Sequence, residues 1–298
     1  MSMKFRAHDT FFIRKGWLSK GIRNVNENRD VFVTKDKDRN PMDVLGIGAN
    51  MVKALRYWLQ AVGLTEEPNA GQRYQTLTDF GKVVFEKDPY IEEIGTLWLL
   101  QYFLAKNKEN ATAWYYFFNE FNMTEFTNNE FVQSLQSYVT MEQEQTAVRS
   151  LEDDFSCIVN TYVSRTKNVN AKVSPENIID CPLGELGLID VIKKNGPFSV
   201  YKKSIPAVDS INPWIALAVI YDQAENSQEV TLSTLLTSPN NIGRVYNLDA
   251  VTLVELLHRT ERTGCVKIVR TAGLDYIKLE NSYTFLDCVN KYYEEIVR

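Results

Sequence analysis

The chain has 298 residues, 44% of them hydrophobic and 12% aromatic, with a formal net charge of −5. That is more than one ordinary core holds, so two or three packed domains are expected. No run of about 18 apolar residues occurs and no apolar signal region opens the chain, so the expectation is a soluble, cytoplasmic protein without a membrane partner.

The charge is unevenly placed. Residues 1–60 carry twelve Lys and Arg against six Asp and Glu, a surplus of +6, while the remainder carries −11. A cationic footprint confined to one segment is what contact with double-stranded DNA needs. Cys157, Cys181, Cys265 and Cys288 stand far apart with no C-x-x-C pair, which argues against a structural zinc site and a disulfide framework. They are expected to be reduced and buried.

In chain order, Phe5 to Phe12 precedes a predicted first helix over Ile13 to Ile22, with Trp17, Leu18 and Ile22 inward and Arg14, Lys15 and Lys20 outside. Val31 to Thr34 reads as a short strand, and the charged run Lys35 to Arg39 as a loop. Asn40 and Pro41 then suit the cap and first position of a short helix. Gly46 and Gly48 can supply the positive dihedrals of a tight turn, and a long helix follows, closed by Gly63 in a left-handed cap.

At about 100° per residue, that helix turns Val52, Leu55, Leu59 and Val62 to one side, with Met51, Ala54 and Trp58 beside them. Asn50, Lys53, Arg56, Tyr57 and Gln60 fall opposite, a face without an acid on which every side chain can donate to a base edge or a phosphate. An amphipathic surface helix with a merely solvated polar face has the same pattern. Arg73 to Leu77 reads as one strand of a wing, and Thr78 as the cap of another helix. Helix, strand, helix, helix, wing is the order of a winged helix-turn-helix, here over residues 1–87.

Residues 88–179 read as a helical middle domain. Leu97, Leu100 and Leu104 fall at helical spacing, and the aromatic block from Trp114 to Phe118 reads as core, because its neighbours Glu120, Glu125 and Glu130 are acidic where a base-stacking platform would be basic. Asp180 to Leu188 is a punctuated linker. Pro213 to Tyr221 and Leu248 to Arg262 follow as helices, then a hairpin turning at Ala272-Gly273 and a last helix near Tyr283 to Val297. Residues 180–298 thus resemble a second winged helix, with acidic flanks that favour a structural or protein-binding role. The expected class is mainly α with small β wings (α+β).

Familiar chemistries are mostly absent. No G-x-x-x-x-G-K-[ST] occurs, and Met51 stands where the third glycine of a dinucleotide fingerprint would be. Two histidines are too few for an HNH site, and no lysine has an acid two residues before it, the pair a restriction-type magnesium site uses. His8 and Asp9 are the one pair that could move a proton, with Arg14 and Lys15 near in sequence to hold a phosphate; a histidine satisfied by a local hydrogen bond is the alternative.

His8-Asp-Thr-Phe11 with Arg14 and Gly16-Trp-Leu18, Leu45 to Val52 with Arg56-Tyr-Trp58, Leu77-Thr78, Asp88-Pro-Tyr90 and Thr96 to Leu100 resemble a bacterial family whose genes lie in DNA phosphorothioation islands. Cys181-Pro-Leu183, Glu185 to Leu188, Gly243-Arg-Val245 and Thr271 to Leu274 look like its carboxy-terminal motifs, so the likeness spans nearly the whole chain. The chain departs from the pattern at Asp9 and at Gln101-Tyr102, where the resemblance implies Glu and His-Trp.

The resemblance implies a DNA-nicking component of a phosphorothioation and phage-defence system, acting with a cysteine desulfurase, an ATP pyrophosphatase and an ATPase. Nicking would call for a divalent metal such as magnesium. Arg14, Lys20, Lys53 and Arg56 are expected to hold phosphates, and Asn50 and Gln60 to read bases. The rival readings are a winged-helix adaptor or transcriptional regulator without catalysis, and an acidic scaffold for basic partners.

Overall fold

The computed structural model describes residues 3–34, 36, 39–68, 74–163, 181–225, 227–271 and 274–297. Among the described residues it is helix-rich with three small antiparallel sheets, in keeping with the α+β class.

Helix α1 (Trp17–Glu27) starts at Trp17 rather than Ile13, because Gly16 at φ 80 breaks the helical path. Trp17, Leu18 and Ile22 face inward as expected. The strand expected at Val31 to Thr34 is instead a turn, in which the Val33 and Thr34 amides both donate to the Asp30 carbonyl at 2.9 and 2.8 Å. Helix α2 (Pro41–Leu45) is capped by Asn40, whose Oδ1 accepts from the Met42 amide at 3.0 Å.

Gly46, at φ 61, turns the chain into α3 (Ala49–Ala61). Gly48 does not share that role: it is extended, with φ −66 and ψ 159. Val52, Ala54, Leu55, Trp58, Leu59 and Val62 are buried, so the apolar side of α3 is the one its spacing predicts. Strand β1 (Thr65–Glu66) pairs with β2 (Thr76–Leu77); Arg73, where the expected strand begins, lies outside the described residues. Thr78 caps α4 (Asp79–Lys87), its Oγ1 accepting from the Gly81 amide at 2.9 Å. Position 81 requires glycine, since a Cβ there would stand 2.0 Å from the Leu64 carbonyl oxygen.

Helix α5 (Ile94–Lys106) is the hub of the molecule and is buried along most of its length. Its Gly95 amide donates to the Tyr292 hydroxyl at 3.1 Å, and Trp98 Nε1 to the Ser210 carbonyl at 2.8 Å. Gln101 donates to the Val245 carbonyl at 2.9 Å and accepts from the Tyr162 hydroxyl at 2.5 Å. Against α5 packs α6 (Thr112–Asn119), which in turn meets α8 (Val148–Tyr162), and α7 (Asn128–Met141) packs on α8. The aromatic block is core, as its acidic neighbours suggest.

Strand β3 (Glu125–Phe126) joins β4 (Ile189–Lys193) and β5 (Val200–Lys203) in a sheet of order β3-β5-β4, which the sequence did not reveal. The carboxy-terminal part adds α9 (Pro213–Ala224), β6 (Glu229–Thr231), α10 (Leu232–Thr237), α11 (Ile242–Val245) and α12 (Ala250–Glu261). The expected hairpin is β7 (Val266–Thr271) and β8 (Leu274–Leu279), with β6 as an unforeseen third strand; its turn at Ala272-Gly273 lies outside the described residues. Helix α13 (Phe285–Ile296) returns against α9. All four cysteines are buried, and none forms a disulfide.

Candidate nucleic-acid interface

The apolar stripe of α3 locks that helix onto the core and leaves its first two turns open. Ala49, Asn50 and Lys53 are exposed, as are Gly46 and Gly48 in the turn before them. Lys20, exposed on α1, reaches across so that its ammonium donates to the Leu45 carbonyl at 2.8 Å, at the end of α2. Lys15 is exposed ahead of α1, and Arg14 lies half-buried with its guanidinium 5.5 Å from the Trp17 ring centroid. Lys53 Nζ is 3.5 Å from Asn50 Oδ1, so the cation and the amide form one polar ridge.

One turn further on, the expectation of an acid-free face fails. Glu67, just past β1, brings its carboxylate over α3: Oε1 accepts from Arg56 Nε at 2.8 Å, Arg56 Nη2 at 2.5 Å and Gln60 Nε2 at 3.0 Å. The Arg56 carbonyl accepts from Gln75 Nε2 at 2.9 Å, and Gln75 in turn accepts from the Thr65 hydroxyl at 3.2 Å. The β1–β2 pair is thereby tied to the second half of the polar face. Helical spacing shows which residues share a face but not which acid a later strand lays on it, so Glu67 escaped the sequence reading.

Tyr57 must be removed from the expected DNA-binding set. It is 9% exposed, with its ring centroid 5.0 Å from that of Trp58. Burial, followed by the neighbouring Asp154 and Cys157, pushes its phenol well above the usual range. At its position the helix has rolled far enough toward the core to cover the ring.

The His8–Asp9 proton-transfer pair is also corrected. His8 is fully buried, its ring stacked on Trp58 at 5.8 Å and edge-on to Trp114 at 5.6 Å. Its Nδ1 accepts from the Thr10 amide at 3.1 Å, which places the proton on Nε2, and Nε2 lies 2.7 Å from Asp154 Oδ1. Burial raises the Asp154 carboxyl, opposed by His8 and by the Arg6 amide, which donates to the same oxygen at 2.8 Å. The partner of His8 is thus Asp154 on α8, not Asp9, and both ring nitrogens are spent inside the core. Asp9 itself is half-buried in a turn at φ 47.

Gln101-Tyr102 is likewise a packing feature. The Tyr102 hydroxyl donates to Asp222 and accepts from Gln223 Nε2 at 2.6 Å, while Lys106 Nζ meets Asp222 at 2.8 Å. These bonds join α5 to α9.

Two solved structures share this fold. A magnesium ion-bound SspB crystal structure superposes with a TM-score of 0.84 at 24% identity, covering 98% of this chain and 88% of that one. A second SspB crystal structure gives 0.82 at the same identity and coverage. Magnesium binds oxygen ligands, commonly one or two carboxylates with water. Among the described residues no group of three or more His, Cys, Asp or Glu side chains could hold a metal ion, so the side chains in view form no dedicated magnesium cage. No curated protein matches the chain. A family model described as "Protein of unknown function (DUF4007)" matches residues 5–293, and the chain belongs to that family.

Proposed function

We propose that this protein is the duplex-DNA-binding component of a bacterial DNA phosphorothioation and phage-defence system. The order α1, α2, α3, β1–β2 supports a winged helix-turn-helix within residues 1–87, with α3 as the groove-entering helix and the β pair as its wing. One observation carries the reading: the leading turns of α3 stand open, with Asn50 and Lys53 exposed and, among the described residues, no acidic side chain bonded to Lys53 or to Lys20.

In this reading Lys15, Lys20 and Lys53 hold phosphates with Arg14, and Asn50 meets a base edge, where an amide can pair with adenine in bidentate fashion. The SspB-like fold and the sequence resemblance support the phosphorothioation setting, with a cysteine desulfurase, an ATP pyrophosphatase and an ATPase as partners. The middle residues 88–179 support the reader, and residues 180–298, whose α9, α12, hairpin and α13 follow the order of a second winged helix, serve protein contact.

Fluorescence anisotropy with a short labelled duplex tests the DNA contact. Lys53→Ala is expected to weaken binding and to lower the slope of log affinity against log salt by about 0.9, the value of one phosphate contact; unaltered affinity and slope would contradict it. Strand nicking is a second reading, favoured by the magnesium-bound relative. Conversion of supercoiled plasmid to open circles in magnesium supports it, and unchanged plasmid supports a non-catalytic adaptor.

A further inference from the structure

We propose that Arg56 and Gln60 form a second phosphate-binding position on α3, and that the Glu67 carboxylate occupies it until DNA displaces it. This rests on the duplex-binding function proposed above. The geometry is that of an anion site already filled. Three N–H donors from two successive turns converge on the single oxygen Oε1 of Glu67, at 2.8, 2.5 and 3.0 Å. A carboxylate oxygen and a non-bridging phosphate oxygen are the same kind of acceptor for a guanidinium fork.

The position also continues the polar face of α3 proposed to meet DNA. Arg56 and Gln60 follow Asn50 and Lys53 along one helix face at spacings of three and four residues, so the exposed ridge runs directly into the filled site. The ion pair is accessible: the side chains of Arg56 and Glu67 are 25% and 20% exposed. It borders a groove of about 650 Å3 that Glu66, Glu67, Lys106 and Lys108 help to line, which gives the carboxylate room to turn away. The Arg56 backbone stays in place, because its carbonyl accepts from Gln75 Nε2 at 2.9 Å independently of Glu67. The exchange makes and breaks no covalent bond; one anion replaces another.

Glu67 then acts as a built-in competitor. It lowers affinity for any phosphate backbone, and its release moves with the β1–β2 pair. The test is Glu67→Gln, which keeps size and an acceptor oxygen but removes the charge, with thermal melting to verify folding. Glu67→Gln is expected to bind a short random-sequence duplex about tenfold more tightly at low salt and to steepen the salt slope by about 0.9. Adding Arg56→Ala should cancel both gains. Affinity and slope equal to wild type in Glu67→Gln would overturn the proposal.

If wild type and variant both fail to bind duplex, the function proposed above falls, and titration with inorganic phosphate decides the site alone. A shift of the Arg56 Nε resonance in Glu67→Gln that is far smaller in wild type upholds it. No shift in either protein overturns it.

Discussion

His8 shows how much of a side chain's role is settled by what surrounds it. In sequence it sits beside Asp9 with two cations close behind, a plausible acid–base pair. In the fold it is a pin that holds the amino-terminal turn against α8, α3 and α6 through Asp154, Trp58 and Trp114. Removing one partner of a buried pair leaves the other unsatisfied and costs about 3–5 kcal/mol. His8→Ala is accordingly expected to lose about that much in urea unfolding, and a loss below about 1 kcal/mol would show that the bond to Asp154 contributes little. Lys53, Arg56 and Gln60 share one helical face, yet only Lys53 is open, because Glu67 arrives from a different element.

Elements whose signals are local were legible. The apolar side of α3, the caps Asn40 and Thr78, the aromatic core of α6 and the hairpin β7–β8 follow from spacing and cap chemistry. Elements built by distant pairing were not. The sheet β3-β5-β4 joins residues near 125 to residues near 200, and β6 is too short to announce itself. The hub role of α5 was equally hidden, since a helix apolar all round shows burial but not its neighbours.

The tie between α5 and α9 carries a pH signature. Burial pushes the Asp222 carboxyl upward, but the Lys106 ammonium and the hydrogen bonds from Lys106, Tyr102 and Gln223 outweigh it, and the net direction is downward. A carboxyl lower in the folded than the unfolded chain binds its proton later, so its stabilisation is present above about pH 4 and is lost as pH falls through the folded value. Chemical unfolding followed from about pH 6 to about pH 3 should therefore show stability declining on acidification, and declining less in Asp222→Asn. An identical decline in the variant would mean that Asp222 is not among the groups responsible.

At the scale of the whole molecule, cation surplus and acid surplus are segregated. The first 60 residues carry +6 and the rest −11, while one continuous core runs from Ile13 to Tyr293. In the proposed function such a distribution would orient a polyanion toward the amino-terminal segment that holds α1 and α3, with steering that weakens as salt rises. Site-specific photo-crosslinking tests that orientation most directly. With a photoreactive benzoylphenylalanine in place of Asn50, exposed on α3, irradiation with duplex DNA should give a covalent adduct that fades as salt increases; the same group in place of Glu255, exposed on α12, should give none. Adducts at both positions alike, or at Glu255 alone, would contradict a DNA-binding face centred on α3.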